Sequence, residues 1–151
     1  RESQILKDLQ RLRPGDIAYG HLHATTQVSS LVCGGHFAPY FIYRDPRDVV
    51  VSHVHYVTDM APNHVHHPYY KNTLRNFDER LTVSILGRPE MDISFPNILD
   101  RFLPYINWTK QKGVLAIKFE DFIHQQETTL KRIYDHAIQN GYVPNIHRDE
   151  A

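Results

Sequence analysis

The feature that most narrows what this chain can fold into is the run from Pro39 to Val57, PYFIYRDPRDVVVSHVHYV. Residues 39–44 are aromatic and apolar up to a final arginine. Such a run suits a strand covered on both faces, as in a parallel sheet. Asp45 then offers the side chain of a helix N-cap, and Pro46 the fixed φ of a first helical position. Val50, Val54 and Val57 recur at helical spacing. A strand that ends at Arg44 and hands over at once to a helix is the beginning of a βα unit.

The remaining elements follow the same logic. Ile5, Leu6, Leu9 and Leu12 predict a helix over residues 3–13, ended by Pro14-Gly15-Asp16. Asp16 to Leu22 (DIAYGHL) reads as a short strand. Residues 25–33 read as a helix closed by Gly34-Gly35. Residues 60–72, with Pro62 and Pro68, read as a loop, and residues 73–86 as a helix through Leu74, Phe77, Leu81 and Ile85. A helix over 97–110 should be kinked or divided by Pro104. Val114 to Phe119 (VLAIKF) is a second buried strand. A last helix, about 126–140, packs Leu130, Ile133, Tyr134 and Ala137 and stops at Gly141. Strands alternating with helices imply a mostly parallel sheet, whose ligands bind outside the carboxyl ends of the strands.

Composition excludes several classes. The chain has 151 residues, 17 Lys+Arg against 17 Asp+Glu, and a hydrophobic fraction of 41%. That balance argues against disorder and against a protein that coats a nucleic-acid backbone. Cys33 is the only cysteine, so no intrachain disulfide can form and a reducing, cytoplasmic setting is expected. No apolar run is long enough for a transmembrane helix. The chain begins without methionine, which suggests a piece of a longer protein.

Three polar positions fall at expected strand ends: His21, Arg44 and the pair Glu120-Asp121. Arg44 stands at a helix start, where backbone N–H groups and a planar guanidinium together suit an anion, above all a phosphate. Ser52, two turns into that helix, can add a hydroxyl. A bland reading stands beside this one: Arg44 pairs with Asp48 or Asp121 and Ser52 faces inward.

The run Arg44-Asp45-Pro46-Arg47-Asp48-Val49-Val50-Val51-Ser52 resembles the 3′-phosphate-binding segment of the PAPS-dependent sulfotransferases, where an arginine and a serine eight positions on hold the 3′-phosphate of 3′-phosphoadenosine 5′-phosphosulfate. Gly20-His21-Leu22 is similar to the family's strand-end histidine segment, and Val114 to Phe122 (VLAIKFEDF) to its later strand ending in Tyr-Glu-Asp-Leu. The resemblance covers about residues 16–140. It implies an α/β fold, a P-loop-like, mostly parallel sheet flanked by helices, with residues 1–151 forming a single partial domain of the bacterial type, truncated at both ends. It implies PAPS as co-substrate, no metal, and a small-molecule or glycan acceptor presenting a hydroxyl or amine. By match, His21 is the catalytic base, with His23 as its rival; Arg44 and Ser52 are the phosphate clamp; and Phe119 stands where the family often has a tyrosine near the adenine. The family's Lys-Ser-Gly-Thr-Thr loop for the 5′-phosphosulfate and its late Arg-Lys-Gly segment have no counterpart here; they are expected before Arg1 and after Ala151. The alternative reading is therefore a partial nucleotide-binding remnant of the same fold. A related kinase or nucleotidase is disfavoured by the RDPRD-type run.

Other constellations carry less. His64, His66 and His67, with His53 and His55 before them, could line an acceptor pocket or lie in a solvated loop. No cysteine or patterned carboxylate completes a metal site. Tyr69-Tyr70 could stack an acceptor ring or simply pack. Asn107-Trp108-Thr109 matches a glycosylation sequon by accident, and Trp108 reads as core. Glu120 and Asp121 read better as caps or ion-pair partners than as an acid/base pair.

Overall fold

The computed structural model describes residues 2–88 and 94–143. In chain order the elements are α1 (Glu2–Gln10), α2 (Thr26–Val32), β1 (Tyr40–Tyr43), α3 (Pro46–His55), a π-helical turn (Tyr56–Met60), α4 (His67–Asn72), α5 (Phe77–Leu86), α6 (Ile98–Ile106), a 3₁₀ turn (Asn107–Lys110), β2 (Leu115–Lys118), α7 (Phe119–His124) and α8 (Gln126–Gln139). The described residues form two compact units, one from residues 2–43 with 104–143, the other from residues 44–88 with 94–103.

The first unit holds the sheet. β1 and β2 pair in parallel, Tyr40 opposite Leu115 through Tyr43 opposite Lys118. Parallel neighbours need a crossover, and residues 44–114 supply it. Helix α2 is capped by Thr25, whose side chain accepts from Val28 N. It buries Val28 and Val32 against Trp108, with Leu6, Leu9, Leu22, Phe41 and Val114 around them. Each such aliphatic side chain contributes about 1.5–3 kcal/mol when fully buried. The second unit packs Val54 and Val57 from α3 and its π turn against Tyr70, Leu74 and Phe95. Arg80 joins its helices, donating through Nε to Tyr70 O at 2.9 Å and through Nη2 to Leu74 O at 3.1 Å. Helix α5 starts at Asn76, whose Oδ1 accepts from Glu79 N at 2.9 Å, and Glu79 returns a contact to Arg75 N at 2.8 Å. It ends at Gly87, where φ is +74° and an added Cβ would run into the Phe95 carbonyl, so only glycine fits.

The structure corrects four expectations. Residues 16–22 form no strand: a strand exists by pairing, this segment has no ladder partner among the described residues, and Ile17 and Tyr19 are almost wholly exposed. β1 is not covered on both faces, since Tyr40 and Ile42 are exposed while Phe41 and Tyr43 are half-buried. The segment 60–72 is not all loop: its second half is α4, which tolerates Pro68 because the proline falls in its first turn, where the missing N–H costs nothing. Helix α8 keeps Ile133, Tyr134 and Ala137 part-buried as expected, but buries Thr129 and leaves Leu130 exposed. The expected helix over 97–110 is divided, but after the proline: Pro104 lies inside α6, which runs on to Ile106 before the 3₁₀ turn at Asn107–Lys110.

Candidate active site

Helix α3 is made by its ends. Asp45 accepts from Arg47 N at 2.9 Å, and Pro46 fills the first turn. Asp45 also holds the Arg47 guanidinium, with Nη2 at 2.6 Å, which raises the Arg47 pKa through that hydrogen bond and its charge. The apolar stripe Val50, Val54, Val57 faces the core, and the next stripe round the helix is left for function. Val49, Ser52, His53 and Tyr56 stand at i, i+3, i+4 and i+7. With Arg44 they line an open cleft of about 350 Å³.

Arg44 stands one residue before the Asp45 N-cap and lines this cleft. Its Nε is 3.8 Å from the Asp48 carboxylate, one turn on, and Ser52 follows at the next turn. Asp48 and Ser52 are thus neighbours at i, i+4 on α3, and Arg44 reaches Asp48 from before the N-cap. The Arg44–Asp48 contact was the alternative to a phosphate role, and the structure contains it. Both side chains are substantially exposed, and such a surface pair is worth only about 0.2–1 kcal/mol.

The histidines behind the cleft are not a solvated loop. His66 is buried, and its backbone N donates to His64 Nδ1 at 3.2 Å. His67 donates through Nδ1 to Val57 O at 2.6 Å, tying α4 to the π turn. His53 packs on Phe95 at 5.2 Å with rings 17° apart. Arg101 lies over the same Phe95 ring, 4.4 Å from its centroid, and donates to Ser84 O. Burial pushes His53 down to about 4, helped by the nearby positive charges of Arg101, His64 and His66. Burial first, then His64 and Arg101, lower His66 in the same way. Spacing alone missed this cluster. The usable signal was Ser84, a polar residue within the apolar stripe of α5. No group of three or more His, Cys, Asp or Glu is arranged to hold a metal ion among the described residues.

In the first unit, His21 and His23 are both exposed and both turn toward Tyr105, at 6.3 Å and 4.9 Å between ring centroids. Their backbone is fixed without a strand. Trp108 Nε1 donates to Leu22 O at 2.8 Å, and Ala24 N to Pro104 O at 2.8 Å. Trp108 is therefore core, as expected, and also the anchor of the histidine segment. Phe119, part-exposed, opens α7 directly after β2. Glu120 lies 3.9 Å from Lys118, and Asp121 lies 3.6 Å from Arg132, so these carboxylates serve as ion-pair partners. Burial pushes the Cys33 thiol up, away from the thiolate a nucleophile needs.

A family model described as the sulfotransferase domain matches residues 40–137. The chain belongs to this family. The matched span runs from the first residue of β1 into the last turns of α8 and includes Arg44, Ser52 and Phe119, while His21 lies before it. No match was found among curated proteins or among solved structures. Sulfuryl transfer in general, on a sulfotransferase domain of mixed helix and strand with a small parallel sheet, is what the family establishes for this chain. No helix of the described residues is long and apolar enough to cross a membrane.

Proposed function

We propose that this chain transfers a sulfuryl group from PAPS to the hydroxyl or amine of a small-molecule or glycan acceptor, on a P-loop-like sulfotransferase fold. The observation that carries the reading is the cleft on α3, which Arg44, just before the Asp45 N-cap, and Ser52, two turns into the helix, line together. A guanidinium and a hydroxyl in that order fit a phosphate dianion: the first supplies charge and a planar pair of donors, the second a short directional hydrogen bond. These two residues hold the 3′-phosphate, and Phe119 offers an apolar ring to the adenine. PAPS supplies the activated sulfuryl group. The clamp needs no metal, since arginine and hydroxyl answer the charge.

In the transfer, the acceptor oxygen or nitrogen forms a bond to sulfur as the bond from sulfur to the bridging phosphate oxygen breaks. Adenosine 3′,5′-bisphosphate leaves with that electron pair. The acceptor must lose a proton, and His21 takes it as general base. Trp108 and Pro104 hold the backbone on either side of His23, which limits how far His21 can wander.

The test is sulfuryl transfer from PAPS by the protein with its complete domain. His21→Ala should lower turnover by about a hundred-fold or more with little change in donor affinity, and His23→Ala should cost far less. The reverse order would assign the base to His23. Full activity in both variants would refute a histidine base in this segment.

A further inference from the structure

A chain of three side chains runs inward from the α3 cleft. His53 lines the cleft, and its Nδ1 lies 3.1 Å from Ser84 Oγ. Ser84 Oγ lies 2.9 Å from the Tyr70 hydroxyl. Ser84 and Tyr70 are both 0% exposed, so each hydroxyl proton needs an acceptor inside the protein. Among the described residues neither hydroxyl has another polar partner.

Only one ordering uses every proton. Tyr70 donates to Ser84, and Ser84 donates to His53 Nδ1. If His53 Nδ1 instead donated to Ser84, two cases would remain. Either Ser84 donates to Tyr70 and the Tyr70 proton has no acceptor, or Tyr70 donates to Ser84 and the Ser84 proton has none. Nδ1 is therefore the bare nitrogen. A neutral imidazole carries one N–H, which must then sit on Nε2. The ring is neutral near pH 7, because burial and the positive charges of Arg101, His64 and His66 disfavour a second proton. Stacking on Phe95 and the edge contact with Tyr70 at 5.7 Å hold the ring in this orientation. Nε2 has no protein partner among the described residues, and His53 shares the cleft with Arg44 and Ser52.

We infer that His53 supplies a third, uncharged donor, its Nε2–H, to the phosphate held by Arg44 and Ser52, and that Ser84 and Tyr70 are positioning residues that fix its tautomer. The inference rests on the phosphate-clamp reading of the cleft. It adds a donor whose protonation is set by a buried relay and does not vary across the neutral pH range.

Two measurements on the full chain test it. Long-range ¹H–¹⁵N spectra of the histidine rings at pH 7, with His53 assigned by its loss in His53→Gln, read the tautomer directly. Nε2 should be protonated and Nδ1 bare, and the Nε2 signal should move on addition of adenosine 3′,5′-bisphosphate. In calorimetric titrations with that bisphosphate, His53→Phe should bind about ten-fold more weakly, the scale of one hydrogen bond to a charged group. His53→Gln, whose amide can place an N–H near the Nε2 position, should recover most of the loss. Tyr70→Phe should weaken binding a few-fold and show mixed tautomers. A protonated Nδ1 overturns the inference. So does wild-type affinity in His53→Phe while Arg44→Ala still loses it, and in that case the phosphate reading survives. Absence of bisphosphate binding by the wild-type chain removes both. If His53→Phe does not fold, the wild-type spectrum and the His53→Gln titration decide.

Discussion

Acidification should unfold this protein partly through His53. The ring is neutral in the folded state because burial, Arg101, His64 and His66 push it from the ordinary 6.5 down to about 4. Between those values the unfolded chain binds a proton that the folded chain refuses. Stability therefore rises with pH through this window, and the contribution present above pH 6.5 is lost as the pH falls toward 4. At about 1.4 kcal/mol per pH unit, a wholly enclosed ring would lose about 3 kcal/mol across the window. The His53 ring is only part-enclosed and its neighbours are partly screened, so about 1–2 kcal/mol is expected. Urea unfolding of wild type and His53→Gln at pH 7, 6, 5 and 4.5 isolates the effect, because carboxylates and the other histidines titrate in both proteins. The wild type should lose about 1–2 kcal/mol more than the variant between pH 7 and 4.5. Parallel losses would show that His53 is not held neutral by its surroundings, and the relay through Ser84 would lose its physical basis.

Two further outcomes follow from named contacts. On the proposed clamp, Asp48, 3.8 Å from Arg44, competes with the phosphate, so Asp48→Asn should tighten adenosine 3′,5′-bisphosphate about two- to three-fold; calorimetry that finds weaker binding would mean the carboxylate supports the site. Trp108→Phe removes the donor to Leu22 O and should cost about 1–2 kcal/mol, read by urea unfolding, and an unchanged midpoint would show that the indole contributes packing alone.

What could be read from sequence was the chemistry that acts locally. Asp45 and Pro46 start α3 by capping and by a fixed φ, both properties of the residues themselves, and the helix begins where they place it. The two strands at 40–43 and 115–118 follow from apolar runs bounded by polar ends. Residues 16–22 failed because a strand is a property of a pair, and nothing in DIAYGHL specifies its partner. Leu130 on α8 failed for a related reason. Thr129 and Leu130 differ by one position, about 100° of helix, and the Thr129 hydroxyl finds the Asp121 carbonyl at 3.1 Å, a contact no periodicity reveals. Arg44 and Ser52 were legible as a spaced pair. The surroundings of His53 were not, because Tyr70, Ser84 and Phe95 approach it from 17–42 positions farther along the chain only once α4 and α5 have packed on α3.

The central claim is that Arg44 and Ser52 recognise a 3′-phosphate. Calorimetric titration of wild type and Arg44→Ala with adenosine 3′,5′-bisphosphate and with adenosine 5′-monophosphate tests it most directly, since the two ligands differ by that one phosphate. Wild type should prefer the bisphosphate. Arg44→Ala should weaken the bisphosphate by about ten-fold or more, the loss of a charge-assisted hydrogen bond of roughly 1.5–3 kcal/mol, and leave the monophosphate almost unchanged. Equal weakening of both ligands, or a wild type indifferent to the 3′-phosphate, would contradict the account.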